Sequence, residues 1–265
     1  MHLRVALAQM DVALGQPERN IDRARHLVAQ AAAEGAHLVV LPELWASGYD
    51  LQRAGHYAAP LDRGAFALMA DLAQTHQLYV VGTALESNPG GLPFNTAVLC
   101  GPTGERLGAY RKVHLWAPMG ETEHMTAGDS LPTFDLPWGR LALAVCYDLR
   151  FPEMWRRYAD AGAQVVVIPA QWPVRRVEHW RLLLQARAVE NQFFVVGCNR
   201  SGVDPGEIET VFAGHSAAVD PWGRVLAEGG DEPGLFVATL DLEEVDRARR
   251  LFPFLADRRP DVYGR

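Results

Sequence analysis

The sequence predicts an α/β fold in which two mixed sheets pack face to face between outer helices, a four-layer α-β-β-α sandwich. Apolar runs long enough for buried strands alternate with stretches whose apolar residues recur at helical spacing. That order is expected of parallel strands joined by crossover helices. The plan occurs twice, once in each half of the 265 residues. Each half also carries a hairpin turn of similar composition, Gly101-Pro102-Thr103-Gly104 and Asp220-Pro221-Trp222-Gly223, in which proline and glycine favour the turn geometry.

In the first half, residues 3–9 open as a strand. Residues 20–33 follow as a helix with Ile21, Ala24, Leu27, Val28 and Ala31 on one face, and Gly35 stops it. Residues 38–41 are the second strand, and residues 64–75 a helix with Phe66, Met69, Leu72 and Ala73 inward. Strands at 78–85, 95–100 and 106–112 complete this half, the first two joined by Asn88-Pro89-Gly90-Gly91. In the second half, strand 140–146 leads to helix 152–161 and strand 164–169, and helix 178–191 leads to strand 193–198. Further strands are expected at 215–220, 224–227 and 235–240. No linker or low-complexity segment divides the chain, so residues 1–250 read as a single domain. Residues 251–265 are rich in arginine, proline and aromatics. Because Phe252, Phe254 and Tyr263 are costly to leave in water, this segment reads as an arm packed on a partner.

Apolar residues at 49% and charged residues at 22% fit a globular protein with a large core. With 25 basic against 32 acidic side chains the net charge is −7, and no basic stripe precedes the tail, so nucleic acid is not an expected partner. No apolar stretch approaches the roughly 20 residues that span a bilayer, so no membrane partner is expected either. The N-terminus enters a strand directly without a signal-peptide pattern. Three widely spaced cysteines, odd in number and without a CxxC pair, argue against a disulfide framework or a zinc site. The expected compartment is the cytoplasm. Gly101-Pro102-Thr103-Gly104 lacks the helix-opening Gly-Lys-Ser/Thr of a phosphate loop, and no metal or other cofactor is implied.

Three reactive side chains close three predicted strands. Glu43 ends Leu38-Val39-Val40-Leu41-Pro42-Glu43, Lys112 ends Gly108-Ala109-Tyr110-Arg111-Lys112, and Cys146 ends Leu141-Ala142-Leu143-Ala144-Val145-Cys146. Taken singly, Glu43 reads as a turn cap, Lys112 as a solvated cation and Cys146 as a small core hydrophobe, the reading that suits Cys100 and Cys198. Together they suit one active site. The turn after Cys146 offers backbone N–H groups that would lower a thiol's pKa. A carboxylate can take the thiol proton, and an ammonium can bind the oxyanion formed when sulfur attacks a carbonyl. Such a set fits attack on an amide or nitrile carbon through a thioester. A histidine-assisted thiol is the alternative, with His114 and His124 the nearest candidates by segment.

Val39-Val40-Leu41-Pro42-Glu43, Arg111-Lys112-Val113-His114-Leu115 and Cys146-Tyr147-Asp148-Leu149-Arg150-Phe151-Pro152-Glu153 resemble, in order, the three signature blocks of the nitrilase, or carbon–nitrogen hydrolase, superfamily. Arg187-Ala188-Val189-Glu190-Asn191, Gly214-His215-Ser216 and Arg258-Arg259-Pro260-Asp261-Val262-Tyr263 are similar to its other conserved segments. The resemblance implies a four-layer fold and a homodimer joined through a helical face and the tail. It makes Glu43 the general base, Lys112 the oxyanion-binding lysine, Cys146 the nucleophile and the Tyr147 backbone N–H a second oxyanion donor. Glu121 matches the second active-site glutamate, with Glu123 close enough to take its place. Arg150 matches an arginine that binds a substrate carboxylate, or is a surface salt-bridge partner. Trp116 and Trp172 fill core or rim, or wall an acyl pocket.

The run from Cys146 to Glu153 looks like the ω-amidase branch, as does Pro169-Ala170-Gln171-Trp172-Pro173 followed by His179-Trp180. What this implies is a cofactor-independent amidase that releases ammonia from a short dicarboxylic monoamide such as 2-oxoglutaramate. The runner-up substrates are an N-carbamoyl amino acid or deaminated glutathione; a nitrilase or a catalytically silent binding protein fits less well. Gln171 departs from the commoner asparagine in this segment, which leaves the polarity of the pocket open.

Overall fold

The computed structural model describes residues 2–205 and 210–263. The first half runs β1 (His2–Gln9), α1 (Pro17–Ala33), β2 (Leu38–Val40), α2 (Ala54–Tyr57), α3 (Gly64–His76), β3 (Tyr79–Glu86), β4 (Phe94–Cys100) and β5 (Arg106–Arg111). Next come α4 (Glu121–His124), β6 (Thr133–Leu136), β7 (Gly139–Leu143), α5 (Pro152–Asp160), β8 (Val165–Ala170), α6 (Val177–Asn191) and β9 (Phe194–Asn199). The chain continues with β10 (Ser201–Asp204), β11 (Thr210–Ala213), β12 (Ala217–Val219), β13 (Val225–Glu228), β14 (Gly234–Asp241), α7 (Glu243–Leu251) and α8 (Pro260–Tyr263).

Two six-stranded mixed sheets form, in the orders β14-β1-β2-β3-β4-β5 and β6-β7-β8-β9-β12-β13. Position by position they share one plan. Three central strands are parallel, one edge strand is antiparallel, and an antiparallel pair closes the other edge. The doubled pattern of the sequence is therefore visible in the topology. One strand crosses over: β14 follows the second half in sequence yet pairs with β1 from His2↔Asp241 to Gln9↔Gly234.

The two-residue period of β1 shows how the layers assemble. Leu3, Val5 and Leu7 join the core between the sheets, alongside Leu141, Leu143, Val166 and Val196. Ala6 and Ala8 point the other way and pack with Ala24, Val28 and Ala31 of α1 and Phe66, Met69 and Ala73 of α3. On the far side, Gly197 of β9 makes room for α6, since a Cβ there would lie 2.7 Å from the Trp180 ring. α5 is pinned to the end of β7, where Tyr158 Oη donates to the Leu143 carbonyl at 2.6 Å. Among the described residues no helix is long and apolar enough to cross a membrane.

Three departures from the sequence reading matter. β7 stops at Leu143 rather than at Cys146, and residues 146–150 instead form a 3₁₀ turn. β6 and the β10–β11 hairpin have no counterpart in the sequence reading; all three are four-residue strands with mixed exposure, too short for a clear alternation. α7 also escaped it, because its charged sequence buries only Val245 and Ala248. Within the predicted arm, α8 forms a single turn, and Phe252, Phe254, Val262 and Tyr263 stay exposed on the lone chain.

Candidate active site

Glu43 lies just past β2 and is fully buried. Its position is set by neighbours on several elements. The Gln171 side chain donates to the Glu43 carbonyl at 2.6 Å, and the Leu44 N–H donates to Thr83 Oγ1 at 2.7 Å. Asn20 of α1 binds the carbonyls of Ala13 and Ala46, which ties this loop to the first helix. The carboxylate is fully engaged. Oε1 accepts from Lys112 Nζ and from Asn95 Nδ2, each at 2.8 Å, while Oε2 accepts the Gln171 N–H at 3.1 Å.

Lys112 follows β5 and is also fully buried. The strand pairing continues to it through its N–H, which donates to the Asn95 carbonyl at 2.9 Å. Its own carbonyl accepts from Gly128 at 2.8 Å. Glycine is needed there, because a Cβ would lie 2.2 Å from the Arg111 carbonyl oxygen. The ammonium bridges Glu43 and Glu121, reaching Glu121 Oε1 at 2.5 Å. Glu121 opens α4; its Oε1 also accepts from Tyr49 Oη at 2.6 Å and its Oε2 from the Trp116 N–H at 2.6 Å. Glu123 is exposed, so it is Glu121 that meets Lys112.

Cys146 sits at a sharp bend, with a left-handed φ of 44° that a non-glycine residue seldom adopts. Asp148 holds the bend. One oxygen of its buried carboxylate accepts the Val145 N–H at 2.9 Å and the Tyr110 hydroxyl at 2.7 Å. The other accepts the His114 N–H at 3.0 Å and meets His114 Nδ1 at 2.8 Å. The Asp148 carbonyl in turn accepts from Trp155 of α5 at 2.9 Å. Thus the turn after β7 is tied both to the end of β5 and to the helix that follows.

The electrostatics reverse one sequence expectation. The thiol of Cys146 is not lowered: burial pushes it well above its ordinary value, and Glu43 adds to the rise against the pull of Lys112 and the Gln171 N–H. Burial likewise raises the Glu43 carboxyl, opposed by Lys112 and reinforced by Glu121. Burial disfavours the Lys112 ammonium, but Glu121 and Glu43 outweigh it and hold the lysine charged. The resting arrangement is therefore a protonated thiol beside an ion-paired carboxylate rather than a preformed thiolate. Cys100 and Cys198 are buried thiols raised by desolvation, as a core role requires.

Cys146 opens onto a small pocket. Tyr49, Trp116, Tyr147, Arg150 and Trp172 line it, with Gln171 and Arg176. Trp116 packs edge-on against Tyr147 with ring centres 4.5 Å apart, and the Arg150 guanidinium lies 4.6 Å from the Trp172 ring centre. Both tryptophans are thus pocket walls, Trp172 at 2% exposure. Arg150 has no ion-pair partner among the described residues; its nearest polar contact is His179 Nδ1 at 3.4 Å. His114 stacks on Phe151 at 3.7 Å and binds Asp148, and neither it nor His124 lines the pocket.

Sequence reasoning missed Tyr49, Asn95, Asp148 as a brace, and Arg176. Asp148 stood inside a recognised block, and Arg176 lies a few residues beyond Trp172, so their segments carried a signal. Tyr49 and Asn95 carried none, because each is an ordinary polar residue whose role appears only once the strands are assembled. The effect of Gln171, left open by the sequence, is a brace: its side chain donates to the Glu43 carbonyl and accepts from Arg200 at 3.0 Å.

A family model for carbon–nitrogen hydrolases matches residues 4–250. The chain is 38% identical over 263 residues to the 2-oxoglutaramate amidase of Bacillus subtilis (strain 168), covering 99% of this chain and 100% of that protein. It is 34% identical over 268 residues to omega-amidase NIT2 of Mus musculus, covering 98% of this chain and 96% of that protein. Among solved structures, a Glu→Gln mutant of the amidase from Nesterenkonia sp. AN1 matches with a TM-score of 0.83 at 32% identity, over 95% of this chain and 98% of that one. That mutant shows Michael addition of acrylamide at its active-site cysteine.

Proposed function

This chain belongs to the carbon–nitrogen hydrolase family of the nitrilase superfamily, and from that premise we propose that it hydrolyses the terminal amide of a short dicarboxylic monoamide such as 2-oxoglutaramate. The observation that carries the reading is the buried Glu43–Lys112–Glu121 cluster set against Cys146, next to a small pocket in which Arg150 has no carboxylate partner among the described residues. The names of two relatives support it, a 2-oxoglutaramate amidase in B. subtilis and an omega-amidase in M. musculus.

In this mechanism Glu43 takes the Cys146 proton as sulfur attacks the amide carbon. Lys112 and the Tyr147 backbone N–H stabilise the oxyanion, and each such donor contributes on the order of 3–4 kcal/mol. The tetrahedral intermediate collapses as protonated Glu43 gives its proton to the departing nitrogen, releasing ammonia and leaving a thioester on Cys146. Glu43 then takes a proton from water, and the hydroxide attacks the thioester carbonyl. Collapse of the second intermediate frees the acid, and the departing thiolate recovers its proton from Glu43. Glu121 orients Lys112 throughout, and Trp116 and Trp172 wall the acyl chain while Arg150 binds its distal carboxylate.

Residues 1–250 act as one catalytic domain, and residues 251–265 as an arm at a homodimer interface. The three cysteines are free and buried, which suits the reducing cytoplasm. The test is ammonia release from 2-oxoglutaramate and succinamate, compared with a neutral amide, a nitrile and an N-carbamoyl amino acid. Turnover of the two acid amides, absent in Cys146→Ala, is the expected result. Faster turnover of the carbamoyl compound, or release that survives Cys146→Ala, would overturn the reading.

A further inference from the structure

Arg150 is not the only cation on the pocket wall. Arg176 also lines it, with its guanidinium 5.1 Å from the Trp116 ring centre. The two tryptophan walls therefore each carry a stacked guanidinium. Among the described residues neither arginine has a carboxylate within ion-pairing distance, although the carboxylates nearest the site are all engaged: Glu43 and Glu121 by Lys112, and Asp148 by Tyr110 and His114. Arg175, the neighbour in sequence, is exposed and absent from the lining, whereas Arg176 is half-buried.

We propose that Arg176 is a specificity-determining residue that, with Arg150, forms a two-guanidinium site for the distal acid end of the substrate. This rests on the amidase reading above and deepens it by naming the second half of the acid-recognition site. Two like charges in one small, partly desolvated pocket repel each other. Burial and the Arg176 charge both work against the charged form of Arg150. An anion bound between them removes that repulsion. A planar guanidinium offers paired N–H donors to a carboxylate. Two of them can engage both carboxylate oxygens and a neighbouring oxygen, which suits a 2-oxo acid better than a simple one. Their stacking on Trp172 and Trp116 limits their motion, so less freedom is lost on binding.

Arg176→Gln removes the charge but keeps the backbone carbonyl that accepts from Trp172 Nε1 at 2.8 Å, so the wall itself stays in place. The expected result is a rise in KM for succinamate of about tenfold or more, with kcat nearly unchanged and no change in kcat/KM for a neutral amide of the same length. Arg176→Lys should recover part of the loss, and Arg175→Gln should do nothing. The KM of the unsubstituted enzyme for succinamate should rise with added salt more steeply than that of Arg176→Gln. An unchanged KM for succinamate in Arg176→Gln, or an equal loss for acid and neutral amides, would overturn the proposal. Calorimetry of succinamate binding to Cys146→Ala, with and without Arg176→Gln, reads the same contact without turnover. Weaker binding in the double variant supports the site even where the amidase reading fails, and equal binding refutes it.

Discussion

Glu43 and Cys146 are two acids competing for one proton, and their surroundings raise both. Burial lifts the Glu43 carboxyl, and burial together with Glu43 lifts the thiol. The sign of the pH dependence follows. In the proposed mechanism Glu43 works as a carboxylate, so activity is expected to fall as pH drops through its raised pKa. The acid limb of kcat/KM should then have its midpoint above the 4.5 of an ordinary glutamate; a midpoint at or below that value would contradict a buried base. A second expectation separates nucleophile from base. Because Glu43 raises the thiol and Lys112 lowers it, Glu43→Gln should leave the thiol more easily ionised. Alkylation of Cys146 by iodoacetamide at neutral pH should speed up while amide turnover drops ~10²- to 10⁴-fold. Slower alkylation in that variant would mean that Glu43 is needed to activate sulfur even toward an alkylating agent. Glu43, Lys112 and Cys146 were legible in the sequence because each sits in a distinctive block. The direction of the thiol's shift was not, since it depends on how deeply the bend is buried and on which charges face it.

The 3₁₀ turn at residues 146–150 does what a longer β7 could not. It turns Cys146 out of the strand and presents it to the pocket at a left-handed φ. The apolar run up to Cys146 reads as strand all the way, and only the Asp148 carboxylate capturing the Val145 N–H explains the early stop. Asp148→Asn should show how much the brace contributes. An amide offers one acceptor oxygen where the carboxylate serves two backbone N–H groups, the Tyr110 hydroxyl and His114. We expect a loss of roughly 2–4 kcal/mol in unfolding free energy, read from the urea midpoint at unchanged slope. A loss under about 0.5 kcal/mol would mean the turn holds itself. The same element logic accounts for Gly128, which hydrophobic periodicity alone could not single out but which lets the chain pass against Arg111 and hold Lys112.

At the scale of the whole molecule, the doubled sheet plan was legible from the alternation of apolar runs and helical faces, because that alternation is set by local periodicity. The pairing of β14 with β1 was not, because a strand's sequence does not reveal which sheet edge it will join. The arm poses the remaining question of assembly. Phe252, Phe254, Val262 and Tyr263 are exposed on the single chain, as are Leu182 and Val189 of α6. In the proposed homodimer these surfaces cover one another, so sedimentation should give twice the 29.2 kDa of one chain, and removal of residues 252–265 should shift the species toward monomer. A monomeric full-length chain would contradict the assembly. The account as a whole stands on a covalent intermediate at Cys146, and intact-mass spectrometry of enzyme acid-quenched during succinamate turnover tests it most directly. The predicted result is a species heavier by succinamate less ammonia, mapped to Cys146 and absent from Cys146→Ala; turnover with no adduct, or ammonia release that persists without the thiol, would contradict it.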